Sequence, residues 1–139
     1  MTLTDVMRTM PWGLHDAYLV KIGIDYEARA VDVDVRLKMA ADQTSDQLAR
    51  LHFAGMEYFA GLPPDAPHEQ PDALPWIDQL HETSPQFDEL RAKHPPVPEG
   101  CFFAAFYTRE SWQYFTICAR DVTLTWLEAE PVPVKHHKP

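Results

Sequence analysis

His15 and Asp16 stand side by side, an imidazole next to a carboxylate, the pairing that orients a general base or supports a metal ligand. Neighbouring side chains at the start of a strand point to opposite faces, however, so Asp16 is expected to anchor a turn while His15 packs at a sheet edge. With His52 they form the candidate polar site. Metal chemistry has little support. His52, His68, His81 and His94 are scattered with neither an i, i+4 repeat nor a Cys-x-x-Cys pair, and His136-His137 is at most an adventitious clamp on the tail. No metal and no cofactor is expected. The carboxylates Asp65, Glu69, Asp72, Asp78, Glu82, Asp88 and Glu89 supply an acid/base pair if two of them meet in a cleft, though a solvated loop is the ordinary outcome. Signatures for phosphate cradles and serine hydrolases (G-x-x-x-x-G-K, G-x-G-x-x-G, G-x-S-x-G) are absent.

Cys101 and Cys118 face each other if the opposed positions of their two strands sum to 219. They read as small buried thiols in a reducing compartment, with no histidine nearby to make either a nucleophile. Aromatic residues are the clearer surplus. Trp112, Tyr114, Thr116 and Cys118 share one face of a strand whose other face carries Phe115, Ile117 and Ala119, so both faces are apolar. The second must be covered by another part of the chain, by a partner or by a ligand, which makes Trp112 and Tyr114 candidate binding residues.

The elements that position these residues are mostly strands. Val31, Val33, Val35, Leu37 and Met39 alternate with Asp32, Asp34, Arg36 and Lys38, a period of two that marks a half-buried strand. Tyr18, Val20, Ile22 and Ile24 alternate in the same way, and pairing Ile24 with Val31 gives a hairpin in which Lys21 opposes Asp34. Ala49, Leu51 and Phe53 predict a third strand ending near Gly55. Three more are expected at Cys101–Thr108, Trp112–Ala119 and Val122–Leu127. Between the halves, residues 57–99 hold nine of the thirteen prolines and nine acidic against two basic side chains. This reads as an acidic, Pro-rich insertion with one helix from Ser84 (N-cap) and Pro85 to His94, and a shorter turn carrying Trp76 and Leu80. The tail, residues 131–139, is basic and expected to be loose.

A single domain spanning residues 1–139 follows from the length, with 45% apolar residues to fill one core. The expected class is mainly β, all-β or β-dominated α+β. Six antiparallel strands form a sandwich or curled sheet, and the insertion adds one or two short helices. A formal charge of −9 disfavours nucleic acid and anionic membranes as partners, and no signal peptide or apolar run of membrane-spanning length is visible. The two cysteines fit a cytoplasmic location.

Three stretches carry a resemblance: Trp12-Gly13-Leu14-His15-Asp16-Ala17, Leu51-x-Phe53-x-Gly55 and Trp112-x-x-Phe115-x-Ile117-x-Ala119. The chain resembles a group of small uncharacterised bacterial β-rich proteins, which implies the fold and no activity. More faintly it is similar to immunity proteins of polymorphic toxin systems. The expected function is a non-catalytic binding or interaction protein of the bacterial cytoplasm. Its partner would be a protein, of basic character if it docks on Asp65, Glu69 and Asp72; a two-fold homodimer is a further option. One alternative is an immunity-like protein masking a basic toxin, and another is a small hydrolase-like enzyme using His15 or the insertion carboxylates. The strand pattern makes a direct prediction: Val33→Asp should unfold the protein or cost several kcal/mol, roughly 3–5, because it strands a carboxylate in the core. Asp32→Val should cost about 1 kcal/mol or less in the same urea titration.

Overall fold

The computed structural model describes residues 1–61, 75–108 and 113–134. Its elements are α1 (Leu3–Met7), β1 (Ala17–Asp25), β2 (Ala30–Lys38), β3 (Ser45–Ala54), β4 (Tyr58–Gly61), β5 (Trp76–Leu80), α2 (Pro85–Ala92), β6 (Phe102–Thr108), β7 (Gln113–Ala119), β8 (Asp121–Trp126) and β9 (Val132–Pro133). All described strands join one antiparallel sheet in the order β4-β7-β6-β5-β1-β2-β3-β8, with β9 beside β3. The fold is β-dominated, as the alternation predicts, and all six expected strands form. Three strands are additional. β4 and β5 arise from the Pro-rich stretch, and β9 draws Val132 and Pro133 of the tail onto Ser45 and Asp46. The turn expected around Trp76 and Leu80 is β5 instead, because Ile77 reaches the core while its backbone bridges β1 and β6.

In the first hairpin Ile24 pairs with Val31, Ile22 with Val33 and Lys21 with Asp34, as the charge and apolar patterns require. Val20 departs from the expected face. It forms a bulge, so Leu19 opposes Val35 and Tyr18 opposes Arg36. One extra residue exchanges the faces of everything before it. Leu19 joins the core, Val20 is 41% exposed, and Tyr18 turns to the opposite face to pack on Trp76 with ring centroids 4.7 Å apart. In the β6–β7 hairpin the register places Phe103, not Cys101, opposite Cys118.

The core lies inside the curl of the sheet. Val31, Val33, Val35 and Leu37 from β2 meet Ala49, Leu51 and Phe53 from β3 and Phe106, Phe115 and Ile117 from the other half. Phe106 stacks on Phe115 at 4.7 Å and meets Phe53 edge-on at 6.0 Å. α1 closes the curl with Leu3, Val6 and Met7. Its N-terminus is fixed by reciprocal bonds between Thr2 and Asp5, which also hold the Asp5 carboxyl below its ordinary pKa. On the outside of β6, α2 lays Phe87 edge-on against Phe103 at 5.4 Å, beside Leu80 and Ala105. Thr116 and Cys118 are buried there, so part of the second apolar face of β7 is covered by the chain itself. Trp76, farther along the same face of β5 as Leu80, packs on Tyr18.

Two long segments tie the ends of the sheet together. β3 runs into β4 through Gly55–Glu57, β7 runs into β8 through Arg120, and the two segments pair on both sides of that bend. Three residues oppose two at the bend, which is anchored by Glu57 N–H to Cys118 O at 2.8 Å and Arg120 N–H to Ala54 O at 3.0 Å. Gly55 sits at φ +64 with Arg120 laid over it, and a Cβ there would come within 2.9 Å of Arg120 Cγ. Gly55→Ala is therefore expected to cost about 1–2 kcal/mol from the left-handed backbone alone. Gly23 has open space around it, so Gly23→Ala should be neutral or stabilising by about 0.5 kcal/mol. Equal denaturation midpoints for the two variants would contradict the bend.

Candidate functional site

β1 and β5 share only two partner pairs, Tyr18 with Trp76 and Ala17 with Ile77. One more step would set Asp16 against Asp78, two carboxylates face to face. Instead Asp16 takes φ +57 and the chain turns away, held by His15 N–H to Trp12 O at 2.9 Å and Ala17 N–H to Leu14 O at 3.0 Å. The parting strands open a cleft of about 420 Å³ between α1, this turn and the residues that follow Asp78.

His15 stands in the mouth, its side chain 57% exposed, with Nδ1 3.5 Å from Asp78 Oδ2 and Nε2 3.4 Å from Asp16 Oδ2. Asp78 is fixed before any ligand arrives, because its Oδ1 accepts from the Gln79 backbone N–H at 2.7 Å and its Oδ2 from the Tyr107 hydroxyl at 3.4 Å. Along the α1 wall, Gln79 Nε2 donates to Thr4 Oγ1 at 3.0 Å and Thr4 Oγ1 donates to the exposed Glu82 at Oε1, 3.1 Å away. Met7, Trp12 and Leu14 supply apolar wall, and the Trp12 indole N–H is anchored on Ala40 O at 3.0 Å. Two carboxylates flank the imidazole, the Thr4 hydroxyl is engaged twice, and the thiols lie elsewhere, Cys118 on β7 and Cys101 just before β6. Among the described residues no three His, Cys, Asp or Glu groups could together hold a metal ion.

His15 and Asp16 are thus brought together, contrary to their expected divergence, because the left-handed turn at Asp16 removes strand geometry from the pair. His52 is not part of their site. It lies on the outer face of β3 with Nδ1 2.6 Å from Asp32 Oδ1. There it belongs to a ladder of charges across β2 and β3, in which Arg50 grips the buried Asp34 with two bonds of 2.8 and 3.1 Å and Arg36 reaches both the buried Asp46 and Glu128. Burial works against the charge on Arg36, but those two carboxylates outweigh it and raise its pKa. Tyr114 is 36% exposed at the end of β7, opposite Tyr107. Trp112, Asp65, Glu69 and Asp72 lie outside the described residues. Asp78 and Glu82 were legible only as members of an acidic stretch. Their link to His15 depends on β5, whose signal is the alternation of Trp76, Asp78 and Leu80 with Ile77.

A second cleft, about 360 Å³, lies on the other side of Tyr18. There the chain supplies its own cation: Lys38 is 4% exposed, with Nζ 4.3 Å above the Tyr18 ring and 5.8 Å from that of Trp76. No family model matches the chain, and neither curated proteins nor solved structures provide a match.

Cys118 and Tyr58 are partners across β4 and β7 and both resist ionisation. Burial, with the neighbouring Cys101, pushes the Cys118 thiol up, and burial together with Cys118 pushes Tyr58 up to about 12. The folded state therefore holds these protons more tightly than the unfolded chain does. Their contribution to stability is full below the ordinary thiol range and is lost as pH rises toward about 12. Denaturant midpoints should accordingly fall above pH 9, the ordinary thiol value. At pH 8, iodoacetamide followed by mass spectrometry should modify half-buried Cys101 well before Cys118.

Proposed function

We propose that this is a non-catalytic binding protein whose ligand site is the cleft beside His15. The observation that carries the reading is a half-open concavity in which polar groups are already held in place, Asp78 by Gln79 and Tyr107, Gln79 by Thr4, alongside the apolar wall of Trp12, Met7 and Leu14. Its volume of about 420 Å³ suits a small molecule or a single side chain of a larger partner. Support for binding over catalysis comes from what stands beside His15. A nucleophilic hydroxyl needs a base beside it, and the hydroxyls placed here are engaged otherwise, Tyr107 with Asp78 and Thr4 with Glu82 and Gln79. The same reading puts the protein in a reducing cytoplasm, supported by two free thiols. No helix among the described residues is long and apolar enough to cross a membrane.

A fragment library screened by ¹H–¹⁵N NMR on the labelled full chain tests this. Hits should shift the amides of Gly13, His15, Gln79 and Glu82 and the Trp12 indole. Trp12→Ala should weaken them roughly tenfold while the dispersion of core amides is unchanged. Fragments that map only to the Lys38–Tyr18 cleft, or to no concave site, would overturn the proposal.

A further inference from the structure

Hydrogen bonds within the cleft run in one direction, and that direction selects a ligand. A hydroxyl has one proton. Thr4 gives its proton to Glu82, so it must accept from Gln79, which fixes the Gln79 amide with Nε2 on Thr4 and leaves Oε1 as a further acceptor. That oxygen accepts from none of the described residues, although Gln79 is only 6% exposed and lines the cleft. Asp78, on the opposite face of β5, is an acceptor too, oriented by a backbone N–H and a tyrosine hydroxyl and approached by His15 Nδ1 at 3.5 Å. Glu82 adds a third acceptor. The fixed donor nearby, the Trp12 indole, is already taken up by Ala40 O.

Resting on the reading of the cleft as a binding site, we propose that its ligand is an organic cation rich in N–H donors, a guanidinium or alkylammonium group. The charged head meets Gln79 Oε1 and the carboxylate of Glu82, Asp78 adds negative charge beside His15 at the mouth, and the carbon stem lies against Trp12. Charge-assisted bonds to preset acceptors favour such a head over a neutral isostere, and an anionic ligand would meet like charge. The chain places a cation of its own at the rim. Arg8 lines it with its side chain 75% exposed, tethered among the described residues by Asp5 at 3.9 Å, and its charge opposes an incoming cation.

The test compares three probes by ¹H–¹⁵N NMR on the full chain: Nα-acetyl-arginine methylamide, the lysine equivalent, and the citrulline equivalent, which keeps the shape of arginine without its charge. The arginine or the lysine probe should shift Gln79, Glu82 and the Trp12 indole, with citrulline weaker by about tenfold. Glu82→Gln keeps an acceptor for Thr4 and so preserves the fold, yet should weaken the cation about fivefold. Arg8→Ala should tighten it two- to threefold, roughly, by removing like charge. Equal binding of citrulline, or cation binding indifferent to both variants, overturns the cationic ligand and leaves the cleft a binding site. Silence from all three probes while neutral fragments still map to the cleft does the same. Silence from probes and fragments alike removes both proposals.

Discussion

The bend at Gly55 and Arg120 holds the two halves of this protein to one another. Without it, β1–β2–β3 and β5–β6–β7 would be two sheets joined only by the two partner pairs between β1 and β5. With it, β3 and β4 form one long segment that pairs with β8 and β7, so both ends of the sheet share a ribbon and the curl is held from within. The core follows from that curl. Phe53 on one half reaches Phe106 on the other, and Phe106 stacks on Phe115 beyond it. α1 then has an open end to close, and Leu3, Val6 and Met7 close it. The cleft lies where the ribbon's influence is weakest, at the short seam between β1 and β5.

Much of this architecture is written in alternation. Val31 to Leu37 and Ala49 to Phe53 read correctly because each has one apolar face, and a period of two has a single structural meaning there. Val20 misleads for a definite reason. It is as apolar as its neighbours, and nothing in residue type marks the position at which a bulge exchanges faces, while Leu19 is equally ready to be buried. β5 is concealed differently. Five residues that include Trp76 and Leu80 at a spacing of four fit one turn of helix as well as a strand, and only the need to bridge β1 and β6 settles which forms. The register that puts Phe103 rather than Cys101 opposite Cys118 is the one that pairs Phe106 with Phe115, whose rings stack.

The candidate site was half legible. His15 and Asp16 stand out as an imidazole beside a carboxylate, yet strand geometry argues against their meeting. The left-handed turn at Asp16 that brings them together is invisible in residue type, because aspartate tolerates that conformation without demanding it. Asp78 lies sixty-two positions beyond Asp16 and was one acidic residue among many. Gln79 and Thr4 carried no signal at all, for their roles come from a chain of hydrogen bonds that exists only once α1 is seated against β5.

The same ribbon governs how the chain reaches this structure. Ala54 must find Asp121 and Tyr58 must find Cys118 across more than fifty intervening residues. The two β-hairpins, β1 with β2 and β6 with β7, can form early and locally, whereas the ribbon must wait for a large loop to close. Closure entropy rises only slowly with loop length, but it is charged before any of the ribbon's contacts are made. Folding is therefore expected to be slow for a chain of this size, with the search for that long-range pairing setting its rate. Until the ribbon closes, β3 and β7 each present an unpaired edge, and this interval is when the chain is most open to pairing with another copy of itself.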